Sequence, residues 1–490
     1  MTIGRKLVHG LVILLLSIAC SAGAQKADPS TTLPGQRPAQ HWVASWGASQ
    51  QVPEPRNALP ADDLTDATMR QIVHLSLGGQ ELRVRLSNAF GTAPLHLAAV
   101  HIAMPVSSAS SRIVPGSDRA LRFGGAPDVT IPAGAEYISD PIDFPVAPLS
   151  DLAITFYEEK PPAQETSHPG SRATTYYTHG NLASAEDLPG ARTIEHWYTI
   201  AGLDVTAAAS AFAVVTLGDS ITDGHAATTN GNDRWPDVLA RGLQGSAKTR
   251  NVAVVNVGTG GNRLLVDGLG PNALARFDRD VLARPGVKYL IVLEGVNDLG
   301  SLHGATPSGS PSPPAPPPRL GAGTATGEAT NATGGSSPAD PNAVGRAISP
   351  ASAGGQPATS QSQQPLAFHF PEATPEQHDE LVKSMIAAYA QIVMRAHAAG
   401  IRVIGTTITP FGGSGYGRSS ANEADRQRIN AWILAPGHFD AVVDFAKVVA
   451  DPQDATRMAA QFDSGDHLHP SPAGYRAMGE SIPRTLFAGR

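Results

Sequence analysis

A serine and a histidine, far apart in the chain, each stand in surroundings suited to acyl transfer. Ser220 lies in Gly218-Asp219-Ser220-Ile221-Thr222-Asp223-Gly224, directly after the apolar run Phe212 to Leu217, so it sits where a strand turns into a helix. His469 lies in Asp466-His467-Leu468-His469-Pro470. A serine hydroxyl is a poor nucleophile at neutral pH; an imidazole must take its proton, and a carboxylate must hold that imidazole in the right tautomer. Asp466 and His469 are three residues apart. In one tight turn that spacing brings the carboxylate to Nδ1 and leaves Nε2 for Ser220, with no acid needed from elsewhere. Spacing alone does not exclude a swap with the neighbours Asp463 and His467, and a serine in this place also serves as a plain helix cap.

Two further segments end apolar runs in the same way. Gly258-Thr259-Gly260-Gly261-Asn262 follows 252 to 257, and Glu294-Gly295-Val296-Asn297-Asp298 follows 287 to 293. A tetrahedral intermediate places negative charge on the former carbonyl oxygen, and each donor fixed around that oxygen contributes roughly 3 kcal/mol. The Ser220 N–H, the Gly261 N–H and the Asn297 side-chain amide are the candidate donors. Metal activation of a nucleophile is the other route. His225, His303, His369, His378, His397 and His438 show neither His-x-x-x-His spacing nor cysteine partners, so neither a zinc site nor another cofactor is expected.

The elements that must position these groups fall into two parts. From 41 to 208 apolar residues alternate with polar ones between turn residues, as in Leu152, Ile154 and Phe156. Val73, Leu75 and Leu77, the turn Gly78-Gly79, then Leu82, Val84 and Leu86 read as a hairpin, and the whole as an all-β sandwich or jelly roll. From 209 to 490 the runs 212 to 217, 252 to 257, 287 to 293, 401 to 407 and 441 to 446 are apolar on both faces, the mark of a parallel sheet covered by helices. Ser220 and both glycine-bearing segments then share the carboxyl edge of that sheet, where α/β folds bind ligands. One helix is well marked: Thr374 caps it, Pro375 opens it, Gln377 completes a capping box, Gly400 follows its end, and Leu381, Met385, Tyr389, Ile392 and Val393 form its apolar stripe.

The remaining segments bear on location. Residues 1 to 24 combine Arg5 and Lys6 with the apolar run Leu11 to Ala19 and end in Ala22-Gly23-Ala24, which reads as a secretory signal peptide. Cys20 is the one cysteine, and cleavage after Ala24 removes it; the alternative is a lipidated Cys20. Residues 25 to 40 read as a linker. Residues 301 to 366, rich in Pro, Gly, Ser, Ala and Thr, read as a disordered insertion inside the second domain. Removing Arg5 and Lys6 and no acid takes the net charge from −7 to −9. With no basic cluster interleaved with aromatics, nucleic acid is not an expected partner, and no segment has the length of a membrane span.

Taken together, Gly218-Asp219-Ser220, Gly261, Gly295-x-Asn297-Asp298 and Asp466-x-x-His469 resemble the four ordered blocks of the SGNH/GDSL hydrolase superfamily. The resemblance covers 209 to 490 apart from the insertion. It implies a flavodoxin-like three-layer α/β/α domain with five parallel strands in the order 2-1-3-4-5. It also implies Ser220 as nucleophile, His469 as base, Asp466 as its orienter, and Ser220, Gly261 and Asn297 as the oxyanion hole. Trp42-Val43-Ala44-Ser45-Trp46, Arg85 to Gly91 and Asp463 to His469 are similar to a narrower group, two-domain secreted esterases grouped with xylan-associated acylhydrolases. The expected function is an exported serine carboxylester hydrolase that deacylates, and in particular deacetylates, a carbohydrate ester. A broad arylesterase or lysophospholipase is the alternative, and a non-catalytic carbohydrate-binding protein a third reading. Trp42 and Trp46 serve either as a sugar platform or, as large aromatics usually do, as core anchors of the sandwich.

Overall fold

The computed structural model describes residues 41–302, 372–416 and 419–488. The expected signal peptide, the expected linker 25 to 40 and, beyond residue 302, the expected insertion lie outside the described residues. Among the described residues no helix is long and apolar enough to cross a membrane.

The second half is built on five strands: β1 (Phe212–Gly218), β2 (Val252–Gly258), β3 (Val287–Leu293), β4 (Arg402–Thr406) and β5 (Ala441–Val443). They pair in parallel in the order β2-β1-β3-β4-β5. All of β1 is buried, as a central strand covered on both faces must be. The fifth run is shorter than its apolar pattern, because Asp444 leaves the strand to cap the next helix through the Lys447 N–H. The helices are α1 (Ser220–Asp223), α2 (Trp235–Gln244), α3 (Ala273–Phe277), α4 (Val296–Gly300), α5 (Pro375–Ala398), α6 (Ser420–Leu434), α7 (Phe445–Val449) and α8 (Pro472–Ser481). Helices α2, α7 and α8 pack together as one set, and α3, α5 and α6 as another. In α5 the Thr374 hydroxyl accepts from the Gln377 N–H while the Gln377 side chain accepts from the Thr374 N–H, and Met385, Tyr389 and Ile392 are buried.

The first half is an antiparallel sandwich. One sheet holds Trp42–Gly47, Ile200–Thr206, Gly79–Ser87 and Glu136–Ile138, with Ile142–Val146 also paired to Gly79–Ser87. The other runs Arg192–Ile194, Thr175–His179, Ala67–His74, Asp151–Glu158, Ala99–Ala103, Arg119–Ala120. The hairpin expected around Gly78-Gly79 does not form: Ala67–His74 and Gly79–Ser87 belong to different sheets. Ser45 explains the crossing. Its hydroxyl donates to the Leu77 carbonyl and accepts from the Leu77 N–H, and its carbonyl accepts from Ser76, so 75 to 78 is held between the sheets.

The two halves share one continuous apolar core. Strand Trp42–Gly47 packs on β1 and β2, and the Ala44 N–H donates to the Pro285 carbonyl. Strand β2 is an edge strand, and its outward Val254 N–H donates to Ser76 Oγ across the seam, which satisfies a group that an open edge would leave unpaired. Trp46 is buried in this seam against Trp197, edge to face at 4.9 Å, so it anchors packing and offers no platform.

Candidate active site

Ser220 is the first residue of α1, where β1 ends. Asp219 caps the helix by accepting from the Ile221 N–H at 2.9 Å, which spends the acid of the Gly-Asp-Ser motif on geometry. Gly218 is required by close approach: a Cβ there would lie 2.0 Å from Thr222 Oγ1 and 2.7 Å from the Leu293 carbonyl. The turn 463–470 brings the histidine in from the far end of the sequence. Ser220 Oγ lies 2.8 Å from His469 Nε2, and His469 Nδ1 lies 2.6 Å from Asp466 Oδ2.

The tautomer follows from these partners. An ionised carboxylate only accepts, so Nδ1 carries the proton and Nε2 presents a lone pair to the serine hydroxyl. Burial alone would push the Asp466 carboxyl up, yet hydrogen bonds from the His469 amide and imidazole and from the Leu468 amide hold it well below the usual carboxylate range. Burial lowers the His469 pKa, and Asp466 opposes that shift. The neighbouring pair is separate. His467 takes a left-handed backbone conformation, φ 61°, and its Nδ1 lies 2.6 Å from Asp463 Oδ2.

The candidate donors stand on the adjoining strand ends. Gly261 has φ 65°, a conformation open to glycine that shapes the turn after β2. Asn297, at the start of α4, donates from Nδ2 to the Asn262 carbonyl at 2.8 Å, and its Oδ1 accepts from the Tyr416 hydroxyl at 3.0 Å. The carbonyl of Asn262 only accepts, so the amide orientation is fixed, and Nδ2 keeps a second hydrogen for an oxyanion. Asp298 ties the same segment to the turn after β2 by accepting from the Leu264 and Leu265 amides.

Beneath these loops lies Arg276 of α3, fully buried. It donates to the Gly218 carbonyl, the Val257 carbonyl, Asn262 Oδ1, Asp280 and Glu294. One guanidinium thus joins the ends of β1, β2 and β3, and through Asp280, which accepts from Ser49 Oγ at 2.6 Å, the sandwich as well. The sandwich also reaches the site directly. His168 is buried between the Ser49 carbonyl and Asp223 Oδ1, at 2.7 and 2.8 Å. Arg172 donates from Nη2 to His225 Nδ1 at 2.9 Å, and the His225 ring lies against the His469 ring with centroids 4.1 Å apart.

Sequence reasoning named Ser220, His469, Asp466, Gly261 and Asn297, and the fold brings all five to one edge. It missed Arg172, Tyr416 and Arg276, which carry no local motif; His225 follows the Ser220 block directly and could have been noted on position. One group among the described residues could hold a metal: His225, Asp466 and His469, whose ligand atoms lie within 4.8 Å of one another. Here Arg172 already occupies one His225 nitrogen, and Asp466 and Ser220 occupy both of those of His469.

The profile of the GDSL-like Lipase/Acylhydrolase family matches residues 216–477, more than half of the chain. No curated protein matches. Among solved structures, a GDSL-like lipase from Bacteroides thetaiotaomicron is similar at 15% identity and TM-score 0.31, covering 56% of this chain and 87% of its own. An acetyl xylan esterase from Geobacillus stearothermophilus is similar at 16% identity and TM-score 0.31, covering 57% of this chain and 98% of its own. A member of the lipolytic G-D-S-L family from Veillonella parvula is similar at 14% identity and TM-score 0.31, covering 56% of this chain and 97% of its own. The domain match spans the ends of β1, β2 and β3 and the turn that carries His469, and on it the chain belongs to the GDSL-like lipase/acylhydrolase family of carboxylic ester hydrolases.

Proposed function

We propose that this protein is an exported serine esterase that removes short acyl groups, acetyl above all, from a carbohydrate ester. The observation that carries the catalytic part is the chain of two hydrogen bonds through one imidazole, from Ser220 Oγ to His469 Nε2 and from His469 Nδ1 to Asp466 Oδ2. In this mechanism Ser220 Oγ attacks the ester carbonyl and its proton passes to His469 Nε2. The carbonyl oxygen becomes an oxyanion held by the Ser220 and Gly261 amides and Asn297 Nδ2. His469 then gives its proton to the departing alkoxide, leaving an acyl-Ser220 ester. Water, deprotonated by the same nitrogen, attacks that ester and releases the carboxylic acid and free Ser220.

Export rests on the signal-like residues 1 to 24, and the carbohydrate preference on the two-domain resemblance noted from sequence. Neither Trp42 nor Trp46 supports a sugar platform: Trp46 is buried, and Trp42 is half-buried under the Arg83 guanidinium. A second reading, an arylesterase or lysophospholipase, draws on a different observation. Val266 and Leu269 are exposed on the loop after β2, and Leu269 lies where a Gly261 side chain would be, so an apolar acyl chain has a surface beside the proposed oxyanion hole.

Hydrolysis of p-nitrophenyl acetate and decanoate, with acetate release from acetylated xylan, separates the readings. Acetate turnover with xylan deacetylation supports the carbohydrate esterase; rates that rise with chain length and an inert xylan favour the lipid-like enzyme.

A further inference from the structure

Arg172 is a cation without an anion. It comes from the sandwich, in the loop that follows His168, and adopts a left-handed backbone conformation, φ 48°. That conformation is uncommon for a residue with a side chain, and here the surrounding bonds hold it: the Asn230 N–H donates to the Arg172 carbonyl, and the Thr174 N–H to Asn230 Oδ1. Gly170, in the same loop, lies so close to the Asp223 carboxylate that a Cβ there would be 1.9 Å from Oδ2. The loop is thereby fixed against α1, and the guanidinium is aimed rather than free to sweep.

Its polar contacts are sparse. Nη2 donates to His225 Nδ1, Nε is buried without a partner, and among the described residues no carboxylate pairs with the group. The acids that act on His225 are taken: Asp466 by His469 and Asp223 by His168. His225 cannot neutralise it, since a nitrogen that accepts from a guanidinium is bare, and its pKa is lowered to about 4 by burial, by His469 and by Arg172. The His225 side of the pair is open to solvent. An unpaired guanidinium fits a carboxylate with two parallel N–H···O bonds, a geometry that lysine does not reproduce.

Direction follows from the chemistry. His469 is the group that returns a proton to the leaving alcohol, and the His225 ring lies against it. Arg172 therefore stands on the alcohol side of the ester, the side to which His469 returns the proton. We infer that Arg172, held by His225, forms a subsite for a carboxylate on the alcohol portion of the substrate, so that the preferred esters are those of acidic alcohols such as hydroxy acids or acidic sugars. The inference rests on the ester-hydrolase reading above and adds a residue of the sandwich to substrate recognition.

The test compares two esters that differ in charge alone, 4-acetoxybenzoate and 4-acetoxybenzamide, on the mature wild type and on Arg172→Gln. The wild type favours the carboxylate ester, and in Arg172→Gln the ratio of the two kcat/KM values falls by about tenfold or more, chiefly through KM. Arg172→Lys recovers part of the ratio and, lacking the fork, not all of it. Equal losses on both esters would overturn the inference and leave Arg172 a support for His225. Competitive inhibition of the wild type by 4-hydroxybenzoate against 4-hydroxybenzamide needs no variant; equal inhibition constants also overturn it. A wild type inert on both esters would instead overturn ester hydrolysis, and binding of the two hydroxybenzene compounds would still read the subsite, with tighter binding of the carboxylate expected.

Discussion

The turn 463–470 and the seam between the halves each hold a buried histidine against a carboxylate, and the two behave differently because of the second ring nitrogen. His469 gives one nitrogen to Asp466 and turns the other to a hydroxyl that can release a proton. His168 has Asp223 on one nitrogen and the Ser49 carbonyl on the other, so both of its nitrogens are engaged inside the protein and neither faces a hydroxyl. Their carboxylates differ as well. Asp466 remains partly exposed, while Asp223 is almost wholly buried with its histidine. A buried pair of that kind locks parts together, and removing one member leaves the other charge stranded. An acid-histidine pair is therefore a catalytic device or a structural bolt according to what closes the far side of the imidazole.

The strongest way to break this comparison is to remove the imidazole at the turn. His469→Ala should lower kcat on p-nitrophenyl acetate by roughly 10^5-fold or more with the fold intact. His467→Ala should stay within about twofold, as a surface substitution away from the reacting atoms. A comparable loss in both would return the base to an open question between them.

Asp466→Asn sharpens the same contrast by keeping shape and removing charge. The plateau rate should fall by about 10^4-fold, as loss of the orienting carboxylate does in serine hydrolases. The pH profile adds a sign. The base must be neutral, so activity falls as pH drops through the His469 pKa, and burial places that fall below the ordinary imidazole value of 6.5. Asp466 opposes the shift, so in Asp466→Asn the acid limb should move further down. A limb that moves up would contradict the assignment of Asp466.

At the seam the expected loss is stability. His168→Leu should lower unfolding free energy by about 3 kcal/mol, because Asp223 would be buried without its partner. Urea unfolding measures this, and a variant as stable as wild type would show that the seam does not depend on the pair. A smaller loss belongs to Tyr416→Phe, which frees the Asn297 carboxamide at the cost of about 1 kcal/mol. A loss of roughly fivefold in kcat with little change in KM would mark Tyr416 as a positioning residue for the oxyanion donor.

Much of this was readable from the chain because the relevant signals are local. Gly218-Asp219-Ser220, Gly261 and Asn297 each follow an apolar run, so strand ends could be located and the sheet edge inferred; Asp466 and His469 lie in one turn. The seam was not readable for the opposite reason. His168 meets Asp223 across 55 residues and Ser49 across 119, and Arg276 gathers groups from three loops, none with a pattern of its own. The misread hairpin has the same origin. Alternation reports which face of a strand is apolar, and says nothing of which sheet that face meets; Ser45, 32 residues before Leu77, decides it.

The central claim is that Ser220 is activated by His469. Labelling with a fluorophosphonate, followed by mass spectrometry of the peptides, reads that claim at the atom concerned. The account predicts one adduct, on Ser220, formed readily in the wild type, almost absent in His469→Ala and unaffected in His467→Ala. An adduct on another serine, or labelling of Ser220 that ignores the loss of His469, would contradict it.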